Sequence, residues 1–169
     1  MQYRDLAYAC LRSAVEDTLG TDPARPLEPD VGSLQIAAVI GFAGRDVRGT
    51  LGVAANREGL AQVASHFELG ETSPLRDESL GEFANILLGY VKRAFGRRGI
   101  HIDVATPLVI RGLAIEVEGR REAVWVECER CDDPSRIVAW IDSEATPELV
   151  VPDEAADHGI AERGETLFF

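Results

Sequence analysis

The apolar run LQIAAVIGFAG is separated from VRGTLGVAAN by only Arg45 and Asp46, and this spacing constrains the fold more than any other feature. Two strand-length segments joined by so short a turn pair antiparallel, because a parallel crossover needs a dozen or more residues. A β-hairpin is therefore expected. Further strand-sized segments follow in HIDVATPLVIRG, LAIEVEG, REAVWVECER and SRIVAWIDS, punctuated by Gly112, Gly119 and the CDDPS turn. Before the hairpin, Leu6, Cys10, Ala14 and Leu19 predict a helix over Tyr3–Leu19, stopped by Gly20 and the turn-rich TDPARPLEPD. After it, Asn56 is placed to cap a short helix reaching about Phe67, which Gly70 would close. With a third, longer helix the order predicts an α+β domain with a largely antiparallel sheet and three helices.

The third helix is ESLGEFANILLGYVKRAFG, with Ser73 as the expected N-cap, Pro74 at the first helical position and the basic FGRRG at its end. At about 100° per residue, Leu80, Phe83, Leu87, Val91 and Ala94 share one side. Glu78, Glu82, Asn85 and Gly89 share the other, and Ile86 borders them. A solvated face favours Lys, Gln or Ala over Asn and Gly, which are weak helix formers. Glu78, Glu82 and Asn85 rise from successive turns, so they can meet one partner together. Gly89, one turn further, lets a neighbouring chain approach, and Ile86 suits an interface contact.

Seventeen Lys and Arg against 29 Asp and Glu give a net charge of -12 at pH 7. Such a surface repels phosphate backbones and anionic lipid, so neither nucleic acid nor membrane is an expected partner. The longest apolar run is too short and too Gly-interrupted to span a bilayer, and MQYRDLAYAC lacks a basic start followed by an apolar block. A cytoplasmic protein is expected. Cys10, Cys128 and Cys131 make no even disulfide framework. The ECERC pair has CxxC spacing, yet a closed zinc site needs four ligands, and His66, His101 and His158 show no matching pair. GRDVRGT has the glycine spacing of a phosphate loop but Thr50 stands where lysine is required, and it falls in the hairpin turn. No nucleophile elbow, HExxH, EF-hand or dinucleotide fingerprint is present.

Glu82, two residues, Asn85, twenty-one residues and Pro107 reproduce the signature of the CheC/CheX/FliY-type chemotaxis phosphatases, and the chain resembles that family. LGEFANILLG looks like its motif helix and TPLVIRG like the strand start that follows. The family's first position, Asp or Ser, is here Glu78. One motif is visible, and DLAYACLRSAVEDTLG has no Glu-x-x-Asn, so the likeness is to the single-site CheX branch.

The resemblance implies a CheC-like fold and an activity: removal of the aspartyl phosphate of a CheY-like response-regulator receiver domain. It implies Asn85 as the residue orienting the attacking water and Glu82 as the docking acid, with Glu78, Ile86 and Gly89 at the partner surface and Pro107 shaping the strand start. No cofactor is expected on this chain; magnesium is expected on the phosphorylated receiver. A homodimer through sheet edges is also implied, with sheet edges blocked by the acidic tail as the alternative. A non-catalytic receiver-binding adaptor, resembling switch-complex proteins, stands as the alternative. Residues 1–143 are expected to form the phosphatase domain and 144–169 an acidic tail or strap ending in Leu167, Phe168 and Phe169.

Overall fold

The computed structural model of the chain describes residues 2–20, 25–26, 34–68, 78–120, 122–128 and 135–152. Helix α1 (Tyr3–Leu19) opens the chain, followed by the two-residue strand β1 (Arg25–Pro26) and the hairpin β2 (Leu34–Gly44) and β3 (Val47–Ala55). Helices α2 (Arg57–His66) and α3 (Glu78–Gly96) come next, then strands β4 (Ile102–Val104), β5 (Leu108–Ile115), β6 (Val124–Cys128) and β7 (Ile137–Ala145). The seven strands form one sheet in the order β1-β6-β7-β3-β2-β4, with β5 also on β2, and every pairing is antiparallel. The protein is thus an α+β domain with three helices among the described residues.

The hairpin has the expected register, with Ala43 opposite Arg48 across the Arg45–Asp46 turn. Alternation then sorts the side chains between two faces. On one, Ile36, Ala38, Ile40, Phe42, Leu51 and Val53 meet the apolar sides of all three helices. On the other, Ala37, Ala54, Val138 and the stacked pair Trp125 and Trp140 form a second, smaller core covered by Ile115 and Val117. Cys128 shares the helix-facing side with Val124 and Val126, as its parity predicts.

Local chemistry explains the helix ends. Gly20 adopts a left-handed conformation, φ 61°, and its N–H donates to Glu16 O at 2.9 Å, satisfying one of the last carbonyls of α1. Asn56 Oδ1 accepts from the Gly59 N–H at 2.8 Å and from the Arg136 N–H at 2.9 Å, so the cap of α2 also fastens it to the start of β7. Helix α3 is described from Glu78 onward; Gly70, Ser73 and Pro74, assigned to the preceding boundary, lie outside the described residues, as does Cys131.

Three details differ from the sequence expectation. HIDVATPLVIRG does not form one strand: β4 and β5 lie end to end along the outer edge of β2, and between them the Ala105 N–H donates to Gly41 O. Pro107 sits in that gap, where its missing N–H breaks no ladder bond. LAIEVEG is not separate, because β5 continues through Gly112; residues 112–114 bulge outward opposite Gln35, with Leu113 at 98% exposure. Finally, β7 runs through the boundary expected at 143 and ends at Ala145. Beyond it, Val151 is buried in the main core and Arg98 donates to Pro152 O, while residues 153–169 lie outside the described part. Among the described residues, no helix is long and apolar enough to cross a membrane.

Candidate active site on helix α3

Helix α3 is a firm support because one side of it is wholly consumed by packing. Leu80, Phe83, Ala84, Leu87, Val91 and Phe95 are each at 0% exposure, against β2, β3 and the other helices. Near its start the helix approaches β5 closely: a Cβ added at Gly81 would stand 3.3 Å from Val109 Cγ2 and 3.9 Å from Pro107 Cβ and Cγ. Gly81 is therefore a contact position, and the residue before Glu82 rests on the strand that Pro107 begins. This brings Pro107 to the motif helix, at its buried underside.

Glu78, Glu82 and Asn85 are all exposed on the opposite side. Asn85 Nδ2 lies 3.5 Å from Glu82 Oε2, a long donor contact that aligns the two groups at little cost to separate them. Ile86 is half-buried beside them, and Gly89 lies one turn along. Every α3 residue singled out from the sequence thus falls on or beside one accessible line. Two features of that line were not read from the sequence. Arg93 places its guanidinium Cζ 4.5 Å from the centre of the Tyr90 ring, and its Nη1 would be 3.7 Å from a Cβ at Gly89. The available signal was an aromatic and an arginine three residues apart on a helix.

The other titratable candidates are dispersed. His66 and His101 are exposed, the former edge-on to Phe67. Cys10 and Cys128 are free; burial pushes the Cys10 thiol up to about 11 and the Cys128 thiol up to about 12, with Glu127 adding to the latter, so neither is a thiolate near neutrality. Arg45 and Asp46 occupy the hairpin turn, away from any helix start. Among the described residues, no group of three or more His, Cys, Asp or Glu side chains could hold a metal ion. What α3 offers is a neutral amide with a donor and an acceptor next to one carboxylate, both open to a second molecule.

The family model described as "Chemotaxis phosphatase CheX" matches residues 36–129, which span the hairpin, α2, α3 and the strands through β6. Among solved structures, the chain is similar to the chemotaxis protein CheX from Vibrio vulnificus, at 19% identity and a TM-score of 0.64, covering 85% of this chain and 100% of that one. A chain of the CheX-CheY-BeF3-Mg+2 complex from Borrelia burgdorferi matches at 19% identity and a TM-score of 0.63, covering 85% of this chain and 98% of that one. FliY from Thermotoga maritima matches at 14% identity and a TM-score of 0.54, over 82% and 86% of the two chains. Among curated proteins, none matches the sequence.

Proposed function

The chain belongs to the chemotaxis phosphatase CheX family, and from that footing we propose that it hydrolyses the aspartyl phosphate of a CheY-like receiver domain in the cytoplasm. The observation that carries this reading is the pairing of exposed Glu82 and Asn85 on a helix whose other side is buried. The receiver brings the labile acyl-phosphate bond and its magnesium ion. What this chain supplies is placement. Phosphoryl transfer responds mainly to positioning and electrostatics, so a rigidly held amide that orients one water in line is an effective catalyst. Asn85 has a carbonyl to accept from that water and an NH2 to donate, and breaking its long contact with Glu82 frees the NH2.

Glu82 has a different task. A carboxylate directed at a phosphoryl group is repelled, so it serves as the docking acid and engages a cationic side chain of the receiver, fixing the register in which Asn85 enters. Glu78, in place of the family's Asp or Ser, extends the same line with one more methylene and would meet the receiver's rim. Ile86 and Gly89 form the remaining contact surface, and Pro107 supports α3 from beneath through Gly81.

The test is hydrolysis of a phosphorylated receiver by catalytic amounts of protein. Asn85→Ala should lose most of kcat, about 100-fold by analogy with other removed positioning groups, while retaining receiver binding. A variant as fast as the wild type would take Asn85 out of the mechanism. Glu78 at the first motif position keeps an adaptor reading in play, and the same assay separates the two, since an adaptor sequesters receivers stoichiometrically and never turns over. The outer edge of β5 suits a homodimer: Leu108 and Ile110 are exposed there, at 63% and 44%, beside a strand edge.

A further inference from the structure

Gly89 leaves a gap in the side chains of the α3 face, and that gap is bordered by an arginine. The Arg93 guanidinium lies against the half-buried Tyr90 ring, 4.5 Å from its centre, with Nη1 at 3.7 Å from the point a Gly89 Cβ would occupy. Asn85, Gly89 and Arg93 are at successive four-residue steps, so the guanidinium is drawn back toward the N-terminus, level with a position about 6 Å from the root of Asn85.

In a molecule of net charge -12, Arg12, Arg45, Arg48, Arg120 and Arg136 all pair with carboxylates. Arg93, like the exposed Arg4 and Arg97, makes no ion pair among the described residues, but it alone of these three lies over an aromatic ring. The accessible line of α3 therefore runs from acid at Glu78 and Glu82, through the amide, to an ordered cation.

Building on the receiver-phosphatase reading, we infer that Arg93 is a specificity-determining docking residue that grips a surface carboxylate of the receiver one turn beyond the point where Asn85 enters. Gly89 keeps the path of that guanidinium clear. An arginine fork takes a carboxylate through two parallel hydrogen bonds, and the Tyr90 ring orders it beforehand. The surface thus selects receivers that present a cation and an acid in fixed order along the rod, a charge pattern that a uniformly acidic helix would repel.

The experiment uses the full chain and whichever receiver, of a panel phosphorylated with acetyl phosphate, it turns over fastest. Arg93→Ala should raise KM about tenfold, the effect of losing a charge-assisted bond, with kcat within about twofold. Arg93→Lys should recover only part of this, and Lys92→Ala, which removes the same charge nearby, should change KM much less. Gly89→Leu should raise KM like Arg93→Ala, and the double variant should be no worse than the poorer single. Dissociation constants should weaken alike for phosphorylated and unmodified receiver.

An unchanged KM in Arg93→Ala, equal effects of Arg93→Ala and Lys92→Ala, or additive Gly89 and Arg93 effects would overturn the inference while leaving the phosphatase reading intact. A loss confined to the phosphorylated form would also overturn it, reassigning the contact to phosphoryl oxygens. Binding without hydrolysis by the wild type would remove the phosphatase reading and leave Arg93 to be judged on the dissociation constants alone.

Discussion

Glu82 and Asn85 have different tasks in the proposed mechanism, and substitutions can separate them. In that mechanism the amide acts on the reacting water, so its loss belongs in kcat, and the acid acts on register, so its loss belongs in affinity. Glu82→Lys should weaken the receiver complex by tenfold or more, because it removes an attractive contact and sets a like charge against the receiver's cation. Titration calorimetry checks this, and an unaltered dissociation constant would rule out the register role. The shared exposed side of these two residues was legible in the sequence because their spacing depends only on helical geometry, which is local, whereas the tasks proposed for them came from the family resemblance. Arg93 was legible only as a charge toward the helix end, beside Lys92, since its orientation depends on the Tyr90 ring and the open space at Gly89. Helical spacing shows such neighbours but not which rotamer they settle in.

Helix α3 and strand β5 form a single working unit, with Gly81 as their contact. The 3.3 Å separation between a Gly81 Cβ and Val109 Cγ2 already requires the valine to yield, and a branched side chain would lift the first turns of the helix. Gly81→Val should therefore lower turnover about tenfold, in line with the 1–3 kcal/mol typical of overpacking. Adding Val109→Ala, which removes the obstructing methyls, should restore much of the loss. Steady-state kinetics on the single and double variants decides it: without rescue, the contact does not set the height of the motif. The sequence revealed the helix, the hairpin and the capping role of Asn56, all of which rest on periodicity or turn chemistry. It concealed the division of β4 from β5 and the bulge of residues 112–114, because both depend on which strand lies alongside.

Across the whole molecule, Tyr3 links three elements: its hydroxyl is 2.8 Å from Ser143 Oγ in β7 and its ring is 5.7 Å from that of Phe95 in α3. Burial raises the Tyr3 phenol to about 12 from 10.0, more than the Ser143 bond lowers it. A folded pKa above the unfolded one gives stability that is fully present below pH 10 and is lost as pH rises through about 12. Urea midpoints measured between pH 9 and 11.5 should fall, and less steeply in Tyr3→Phe; equal slopes would exclude the phenol as the titrating group. Assembly is the other property at this level. The wild type should sediment as a dimer, and Leu108→Lys with Ile110→Lys should yield monomers, because two lysines would stand on the proposed shared edge. Sedimentation velocity distinguishes these states, and a monomeric wild type excludes the β5 interface. The chain's two tryptophans, Trp125 and Trp140, stack at 5.4 Å on the side of the sheet that none of the described helices covers. Their emission thus gauges the integrity of the strands from behind, out of contact with whatever settles on α3, and a receiver carrying its own indole can be followed against that background.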